Sequence, residues 1–467
     1  MKILLIHLSN QYFDKERGVC FFPIGVGYIA GALLRNHHDV DVLDLNTLDL
    51  SDAEVINIIK AKRFDIVGIS AMSTQYKYVK WLSAEIKKIH KDKKIILGWV
   101  LATYSSHIVL RDTDVDFCVI GEGEITINEL LDNLDNPQAV QGISYKQNGR
   151  IITAPQREYI ENIDTIPMIP YNIFPMDKYI NSLSTISLCK NQRTANISCG
   201  RGCPYSCHFC SKSFSGVRFR TIDKVIEEIK FLQVAYGIER IFFTDELLVV
   251  NKKRIYELCE KILPLNLEWS CQARINHVNE EILLKMKAAG CTAVGYGVES
   301  GSQKILDAMN KGIDVNKSVE VIRLTKKLGL YPIIQVIFGY PGEDIHTINE
   351  TIEYFKKIDE PAAQFSPITP LPGTKLWEEC LEKNIIIDEA VFLEKLEGGY
   401  MPDAPTLMNF TSFSDEELDR LRKGAERKIR LNYLKMHPIR GLNNLKSKIT
   451  EKGLLWVCNR ILQELHY

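Results

Sequence analysis

The chain has 467 residues and a formal net charge of -1 at pH 7, a length typical of two or three domains with a core each. This near-neutral balance gives no indication of nucleic-acid binding, so we expect no nucleic-acid partner. The apolar start, residues 1–8, is followed by charged residues and is predicted to be a buried strand, not a signal peptide. Residues 21–34 are too few for a membrane span. We therefore expect a soluble, cytoplasmic protein.

Residues 1–150 alternate short apolar runs with stretches of helical spacing. The runs are rich in Ile and Val, as in strands that are buried on both faces of a parallel sheet. They read KILLIHL, DVDVLDL, FDIVGIS, KKIILGW and VDFCVIG, and the helical stretches are 23–35, 52–61, 74–90 and 125–134. The pattern predicts a Rossmann-like, doubly wound parallel sheet with its ligand site at the carboxyl ends of the strands.

A second alternating series is predicted for residues 191–400. Before it come a polar hairpin around Asn148-Gly149 and a proline-bearing connector, which predict a domain boundary near residue 150 and a linker over 151–190. Six strand candidates follow: TANIS, RIFFTDE, EWSCQARI, TAVGYGVES, YPIIQVIFGY and PAAQFSPI. Amphipathic helices, such as 223–236 and 280–289, separate them. The α/β pattern predicts a partial, TIM-type barrel whose chemistry lies on loops after the strands.

Residues 401–467 are predicted to be a small helical region. Twelve Lys or Arg residues and only two acidic residues lie between Arg420 and Arg460. Two interpretations remain open: the tail contacts an anionic substrate or a membrane surface, or it packs on the barrel with a solvated basic side. The apolar face of the first interpretation would consist of Leu454, Leu455, Trp456, Ile461 and Leu465.

Three cysteines are clustered on the loop after the first barrel strand, SCGRGCPYSCHFCSK. They are Cys203, Cys207 and Cys210. In a long chain without secretory signals, such thiolates indicate metal or redox chemistry. Three thiolates on one short loop can bind three irons of a 4Fe-4S cluster and leave the fourth iron open for a substrate. The alternative is a closed tetrahedral zinc site with Cys199 as the fourth ligand.

The spacing Cys203-x3-Cys207-x2-Cys210, with Phe209 before the last cysteine and a barrel after it, resembles the radical S-adenosylmethionine (SAM) superfamily. The resemblance implies that the open iron chelates SAM and that reductive cleavage of SAM yields methionine and a 5′-deoxyadenosyl radical. It also implies that Phe209 lies against the adenine of SAM, with simple packing of the loop as the alternative role.

Further positions at strand ends resemble the SAM-binding positions of the superfamily. SAM offers an ammonium group, a carboxylate and ribose hydroxyls to charged or hydrogen-bonding partners. The alternative role of a charged residue at a strand end is simply to cap a neighbouring helix. After the fifth strand, two glycines are predicted to form a tight turn where the backbone can approach SAM. These positions are Asp245, Glu246, Arg274, Glu299, Gly339 and Gly342.

Residues 1–400 as a whole resemble the branch of the superfamily that carries a cobalamin-binding domain. The resemblance is carried by PIGVGYIAGALL, FDIVGIS, DFCVIGEGEITINELL and DTIPMIPYNIFPMDKY. That branch includes methylases of unactivated carbon or phosphorus, oxidative cyclases and ring-rearranging enzymes. Gly68 and Gly98 at strand ends are expected to leave a crevice for a large planar ring.

Two departures from that branch concern cobalamin. The Asp-x-His-x-x-Gly pattern, which supplies an axial histidine to cobalt in some cobalamin domains, is absent after the first strand, where the chain reads His7-Leu8-Ser9-Asn10. We therefore expect any cobalamin to bind without a histidine of this protein on cobalt. Where the family usually has two adjacent glycines, this chain has Gly98-Trp99. The indole of Trp99 either fills the channel for the nucleotide tail of the cofactor or swings aside and stacks on it.

Together the resemblances imply an enzyme in which the radical removes hydrogen from an unactivated carbon and cobalamin delivers a methyl group. Two alternatives remain open: a cobalamin-free radical SAM deoxygenase, epimerase, cyclase or carbon-carbon coupling enzyme, and a non-catalytic iron-sulfur sensor or scaffold. A small-molecule, lipid or peptide substrate and a flavodoxin or ferredoxin as the electron donor are the implied partners.

Overall fold

Two sheets form the framework of the protein in a computed structural model. The structure describes residues 1–8, 20–48, 50–184, 187–189, 191–212, 214, 216–361, 364–397 and 404–439. Sheet A has seven strands and sheet B has six, and a short two-stranded sheet lies beside them. The carboxyl ends of their parallel strands are where the candidate site is found.

Sheet A has the strand order β2-β1-β3-β4-β5-β6-β7. Its first five strands are parallel, which confirms the predicted doubly wound sheet. The polar hairpin of residues 142–154 joins it as two antiparallel strands at one edge. The strands are β1 (Lys2–His7), β2 (Asp39–Asp44), β3 (Ile66–Ser70), β4 (Lys94–Gly98), β5 (Phe117–Val119), β6 (Ile143–Gln147) and β7 (Arg150–Thr153).

Four helices connect the parallel strands of sheet A, and a fifth leads from β5 to the antiparallel strands. They are α1 (Ile24–Arg35), α2 (Asp52–Ala61), α3 (Tyr76–Ile89), α4 (Trp99–Asp112) and α5 (Gly123–Asp132). Helix α4 corrects the sequence analysis, which predicted no helix between β4 and β5. Its backbone departs from helical angles at Ser105, where φ is -133°. A polar residue, Ser105, lies in the middle of the buried face, so the sequence shows no continuous apolar stripe.

Sheet B contains all six strands that were predicted for the barrel, each parallel to its neighbours. Their order, β15-β14-β13-β12-β11-β8, follows the chain, as in a partial barrel. Two short strands, β9 and β10, form the separate antiparallel pair. The strands are β8 (Thr194–Ile197), β9 (Gly200–Arg201), β10 (Arg218–Phe219), β11 (Arg240–Phe243), β12 (Glu268–Ala273), β13 (Cys291–Glu299), β14 (Tyr331–Phe338) and β15 (Gln364–Pro367).

The remaining helices surround sheet B. Gly237, with φ of +62°, ends one of them in the left-handed conformation that glycine favours. The helices are α6 (Met176–Leu183), α7 (Ile222–Tyr236), α8 (Lys252–Ile262), α9 (Glu280–Ala288), α10 (Gln303–Ala308), α11 (Val315–Lys327), α12 (Ile345–Ile358), α13 (Lys375–Glu382), α14 (Glu389–Lys395) and α15 (Asp415–Met436).

One face of sheet A shares a hydrophobic core with sheet B. This core includes Ile3 and Leu5 of β1, Ile241 of β11 and Tyr171 of the proline-bearing connector. A second core covers the other face of sheet A with α3, α4, α13 and α14. Because the connector is part of the shared core, the carboxyl ends of β1 and β3 are held next to the loop that follows β8.

Helix α15 packs on the barrel through one face, which includes Leu418, Ala425 and Ile429. Within the described part of the chain, no helix is both long and apolar enough to cross a membrane. The residues proposed for a membrane-facing surface, Leu454, Leu455, Trp456, Ile461 and Leu465, lie outside the described residues. That hypothesis therefore stays a prediction.

Candidate active site

The loop with the three clustered cysteines is closed at its base by β9 and β10. Arg201 pairs with Arg218 and Gly200 with Phe219. Gly202 follows at once, with φ of +86°, and a Cβ there would lie 2.2 Å from the carbonyl oxygen of Gly216. No other residue fits this position without moving the backbone. The two strands therefore hold the ends of the loop together in a fixed neck, and we call residues 202–217 the cysteine loop.

Hydrogen bonds to two later segments fix the inner part of the cysteine loop. The backbone N–H of His208 donates to the carbonyl of Met309 at 3.0 Å, and its own carbonyl accepts from the N–H of Leu376 at 2.9 Å. The side-chain amide of Asn310 donates to the carbonyl of Ser206 at 2.8 Å. These contacts position the inner part of the cysteine loop.

The three thiols influence one another electrostatically. Desolvation, followed by the charges of Cys207, Glu246 and Cys203, raises the pKa of Cys210 to about 12. Three thiolates on this loop therefore need a cationic group to offset their repulsion. Within the described ranges, no three His, Cys, Asp or Glu side chains are grouped so that they could hold a single metal ion. The ligands of a cubane cluster each bind a different iron, so such a cluster does not require the three thiols to converge on one ion.

Cys199 is separate from the three loop cysteines. It is fully buried in the core shared by the two sheets, and burial raises the pKa of its thiol well above the ordinary value. Its backbone N–H donates to both carboxylate oxygens of Asp245, at 3.0 and 2.9 Å. Cys199 therefore forms part of the base of the loop, as a small apolar residue.

Asp245 and Glu246 follow β11 and behave differently. Asp245 is buried, and desolvation raises its pKa to about 6 in spite of the hydrogen bonds from the Cys199 backbone. Its carboxylate holds the start of the cysteine loop. Glu246 is exposed and close enough to Cys210 to act on the pKa of that thiol. Of the two residues, Glu246 is the one whose carboxylate is placed to meet a ligand.

Arg274, at the end of β12, reaches the cysteine loop. Its Nη1 donates to the sulfur of Cys207 over 3.8 Å, and its guanidinium carbon lies 3.6 Å from the centre of the Tyr205 ring. The hydroxyl of Tyr205 is hydrogen bonded with Nε2 of His277. Sequence analysis identified Arg274 but neither Tyr205 nor His277, because only the folded chain brings residues so far apart in sequence together.

Glu299, at the end of β13, forms a buried ion pair with Lys311. Nζ of Lys311 lies 2.6 Å from Oε1 of Glu299 and 5.6 Å from the centre of the Phe209 ring. Glu299 has φ of +66°, and the pairing of β13 with β14 shifts its register just before it. This strained end of the strand turns the carboxylate toward the cysteine loop. Lys311 was not identified from the sequence, where nothing in its surroundings distinguishes it from a surface lysine.

Gly339 and Gly342 form the predicted turn after β14. Both have positive φ, +84° and +88°, so the turn requires glycine at these positions. The N–H of Gly339 donates to the carboxylate of Glu343 at 2.5 Å, and a Cβ on Gly339 would meet Leu418 of α15 at 3.3 Å. Tyr340, between the two glycines, donates to the carbonyl of Ala308, which lies next to the Met309 contact of the cysteine loop.

A cavity of about 430 Å³ lies between the carboxyl ends of sheet A and the base of the cysteine loop. Both sheets contribute to its lining. The wall from sheet A includes His7, Gly68, Gly98 and Trp99, and the wall from the second part of the chain includes Asn196, Gly200, Arg201, Phe214, Asp245 and Glu246. A ligand in this cavity would contact both halves of the protein.

The two glycines predicted for a crevice in sheet A have different surroundings. A Cβ on Gly68 would lie 2.8 Å from the side chain of Leu5, so packing within the sheet is enough to require glycine there. At Gly98 the nearest atom to an added Cβ is the carbonyl oxygen of Ile69, at 4.0 Å. Both residues line the cavity, and Gly98 has open space beside it.

Trp99 is the first residue of α4 and has φ of +73°. The left-handed region costs an ordinary residue about 1 kcal/mol or more, and glycine adopts it freely. The related family usually has glycine at the position of Trp99. The left-handed backbone conformation explains that glycine, in addition to the space that the missing side chain leaves. The indole lines the cavity and is 42% exposed. It partly occupies the cavity entrance and is not locked in a core.

A network of buried charges joins the cavity wall to the cysteine loop. Arg201 donates to Glu122 at 2.6 Å and also to Glu124, and Arg218 donates to Glu122 at 2.8 Å. The guanidinium of Arg201 lies over the ring of Phe214 at 5.3 Å. Sequence analysis identified neither these arginines nor these glutamates. Arg201 and Arg218 are also the residues that pair between β9 and β10 at the base of the cysteine loop.

His7 ends β1 and lines the cavity. Residues of alternate parity point to opposite faces of a strand, so His7 points to the same side as Ile3 and Leu5, the side of the shared core. It is 5% exposed, and burial lowers its pKa to about 4. Among the residues that the structure describes, Nδ1 of His7 has no hydrogen-bond partner. The imidazole is therefore neutral and has a free ring nitrogen.

Two family models match the chain. The model of the radical SAM superfamily matches residues 197–355, and that of the B12 binding domain matches residues 15–131. An uncharacterized methyltransferase of Pyrococcus horikoshii is 35% identical over 398 residues, which cover 83% of this chain and 84% of the relative. An anaerobic magnesium-protoporphyrin IX monomethyl ester cyclase of Rubrivivax gelatinosus is 29% identical over 404 residues, which cover 83% of this chain and 71% of that one.

A solved structure with the same fold is the radical S-adenosylmethionine methyltransferase TsrM from Kitasatospora setae, with cobalamin and a 4Fe-4S cluster bound. It matches with a TM-score of 0.68 at 18% sequence identity, over 82% of this chain and 78% of that chain. At this level of identity the similarity concerns the fold.

Proposed function

Because this chain belongs to the radical SAM superfamily and carries a B12-binding domain, we propose that it is a cobalamin-dependent methyltransferase that acts at an unactivated carbon. The observation that carries this proposal is the cavity between sheet A and the base of the cysteine loop, with Gly98 and Trp99 on one side and Arg201 and Glu246 on the other. Methyl transfer needs a carrier next to the radical source, and this cavity reaches from the proposed cobalamin-binding strand ends of sheet A to the base of the cysteine loop.

The residues fit the cofactors of this family. Cys203, Cys207 and Cys210 would hold the 4Fe-4S cluster, and the cavity would receive cobalamin. When bound, the cluster supplies one electron to cleave SAM, and cobalamin supplies a carrier for the methyl group. The chain itself offsets the charge of the thiolates with Arg274, whose Nη1 donates to Cys207, and holds the loop through the Met309 and Leu376 backbone contacts.

For SAM we propose Phe209, Glu246, Glu299 and the turn of Gly339 and Gly342 as the binding residues. Phe209 is half-buried on the cysteine loop and offers a ring face. Glu299 is an acceptor for the SAM ammonium group, and its ion partner Lys311 offers a cation to the SAM carboxylate. The Glu299 carboxylate and the Lys311 ammonium group lie 2.6 Å apart. The ammonium and carboxylate groups of an amino acid are also close together, so both could be bound at this ion pair.

For cobalamin we propose the surroundings of Gly68, Gly98 and Trp99. Support comes from the open space beside Gly98 and from the partial exposure of the indole, which has room to turn aside. A neutral His7 at the floor of the cavity can exchange hydrogen bonds with the amide groups that surround a corrin ring.

The partners that we propose are those of the family. A small molecule, a lipid or a peptide is the methyl acceptor, and a flavodoxin or ferredoxin is the electron donor. The charge of the whole chain, -1, does not distinguish among these substrates.

The test uses protein reconstituted without oxygen with iron, sulfide and hydroxocobalamin, then incubated with SAM and a strong reductant. We expect 5′-deoxyadenosine even without substrate, because uncoupled cleavage needs only the cluster and SAM. We also expect S-adenosylhomocysteine, but only when hydroxocobalamin has been added, because the reduced cobalamin then accepts the methyl group of SAM. Chromatography of the nucleosides measures both products.

The outcomes separate the alternatives. 5′-Deoxyadenosine without cobalamin-dependent S-adenosylhomocysteine would favour the cobalamin-free radical enzymes, such as a cyclase. SAM left untouched by a fully loaded cluster would favour the sensor or scaffold. The matched control is the triple variant of Cys203, Cys207 and Cys210 to Ala, which should form neither product.

A further inference from the structure

Arg274 contacts the cysteine loop directly. Its Nη1 lies 3.8 Å from the sulfur of Cys207 and donates a hydrogen bond to it. The side chain is buried, with the whole residue 8% exposed. A guanidinium cation is thus held against one of the three thiols proposed to bind iron, at a distance where a hydrogen bond to sulfur forms.

Two further groups fix the guanidinium in this position. The ring of Tyr205, which lies between Cys203 and Cys207 in the chain, stacks on it at 3.6 Å. Gly312 lies beside it, since a Cβ there would be in ordinary van der Waals contact with its Nη2, at 3.4 Å. Tyr205 is in turn hydrogen bonded with His277. The cation has little freedom to leave the thiol.

The charge of Arg274 has no carboxylate partner among the residues that the structure describes. None of the ion pairs between described residues involves Arg274. Its Nε is buried and has no hydrogen-bond partner among the described residues. Buried arginines elsewhere in this protein, such as Arg201 and Arg220, are paired with glutamates. Because little solvent screens a buried cation, its electrostatic interaction with a nearby thiolate is strong.

We propose that Arg274 is a positioning residue that sets the reduction potential of the cluster through Cys207. A hydrogen bond to a cluster sulfur and a nearby positive charge both favour the more negative, reduced state. They therefore make the cluster easier to reduce. The step concerned is the transfer of one electron from a low-potential reductant to the cluster, in which no covalent bond forms or breaks. The inference rests on the cluster assignment made for the proposed function.

This role differs from binding of SAM in a way that can be measured. A residue that serves only the SAM carboxylate changes the affinity for SAM and leaves the SAM-free cluster unaffected. A residue that donates to Cys207 changes the potential of the cluster before SAM is added.

The experiment is a redox titration of the SAM-free, reconstituted protein, followed by electron paramagnetic resonance of the reduced cluster. We expect Arg274→Gln to shift the midpoint potential to more negative values, so a smaller fraction of the cluster is reduced at a fixed solution potential. Arg274→Lys keeps a charge and should fall between this variant and the wild type. Tyr205→Leu should shift the potential in the same direction as Arg274→Gln, because it frees the guanidinium.

Arg254→Gln is the matched control. Arg254 is another arginine with a buried Nε that has no partner among the described residues, and its Nη2 donates to the carbonyl of Cys199 at 3.2 Å. It touches the base of the loop but none of the three proposed ligands, so we expect the wild-type potential.

A wild-type midpoint potential in iron-replete Arg274→Gln would overturn the proposal. If that variant retains too little iron, Arg274→Lys and Tyr205→Leu decide, since wild-type potentials in both would equally overturn it. Absence of the cluster from the wild-type protein would instead contradict the proposed function. The two failures are therefore distinguishable.

Discussion

Nη1 of Arg201 lies 2.6 Å from Oε1 of Glu122 and so joins the neck of the cysteine loop to the start of α5. Both side chains are almost fully buried, with exposures of 9% and 2%. Glu122 also accepts from Arg218 on the opposite strand of the neck and from the backbone N–H of Ile160. A single carboxylate therefore fixes both strands at the base of the loop to the first part of the chain.

Replacing Glu122 by Gln should destabilise the protein by about 3 kcal/mol, because removing one partner of a buried ion pair leaves a buried charge uncompensated. The measurement is the shift in the urea unfolding curve. Glu129→Gln is the matched control, since its ion pair with Arg157 is 45% exposed on the glutamate side and should contribute less than about 1 kcal/mol. Equal shifts in the two variants would contradict the assignment.

Cys203, Cys207 and Cys210 should each be needed for a full 4Fe-4S cluster, and Cys199 should not. Replacing any one of the three by Ala leaves too few ligands for the cubane. Cys199→Ala removes only a small side chain, which is buried in the shared core at the base of the loop. Iron and sulfide analysis after anaerobic reconstitution provides the test, and full cluster content in the triple variant would refute the ligand assignment.

Wild-type protein should retain hydroxocobalamin through gel filtration, because the indole of Trp99 is partly exposed and has room to move from the cavity entrance. Trp99→Gly and Trp99→Ala should retain it at least as well. The visible spectrum of the protein peak measures cobalt content. Cobalamin in both variants but none in the wild type would show that the indole closes the site, and would favour the cobalamin-free alternative.

We expect no histidine of this protein to bind cobalt, and the structure makes His7 the residue on which to test this. It lines the cavity with a neutral imidazole. Electron paramagnetic resonance of protein loaded with cob(II)alamin should therefore be the same in the wild type and in His7→Leu. A nitrogen splitting that disappears in the variant would identify His7 as an axial ligand.

His7 should make the stability of the protein depend on pH between about 4 and 6.5. Burial lowers its pKa from 6.5 to about 4, so in this window the unfolded state binds the proton and the folded state does not. Stability therefore falls as the pH falls, by up to about 3 kcal/mol, because each pH unit within the window changes the free energy of unfolding by up to about 1.4 kcal/mol. The neighbouring Asp44 has a raised pKa of about 6 and acts in the opposite direction.

The measurement for this prediction is the difference between wild type and His7→Leu in urea unfolding at pH 7 and at pH 5. Since Asp44 is present in both proteins, its contribution largely cancels. The variant should lose less stability than the wild type on acidification. A constant difference at both pH values would contradict the prediction.

Much of this fold was predictable because parallel sheets have a strong sequence pattern. Short runs such as FDIVGIS mark strands that are buried on both faces, and all eleven strands predicted for the parallel parts of sheets A and B are present. The helix α4 was missed because its buried face is interrupted at Ser105. An apolar stripe of constant period is the signal on which helix prediction depends, and here the signal is broken.

The candidate site was predictable only where its residues are close in sequence. The three loop cysteines fall within eight residues of one another, and the predicted cluster site rests on their spacing, on Phe209 and on the barrel that follows. The ion pair of Glu299 with Lys311 and the stacking of Arg274 on Tyr205 join distant segments. The positive φ of Trp99 is likewise a property of the folded backbone. No local pattern of residue types carries that information.

The shared cavity has a consequence for the order of assembly. One of its walls is made by sheet A, and the other comes from residues beyond 195, which leave the ribosome later. Domains generally fold as units during synthesis, the N-terminal one first. The carboxyl edge of sheet A is therefore uncovered in the nascent protein and becomes covered when the barrel docks. A bulky cofactor that enters during translation meets an open groove, whereas one added to the finished protein must pass Trp99 at the cavity entrance. Cells that have cobalamin available during expression should therefore yield better-loaded protein than reconstitution afterwards.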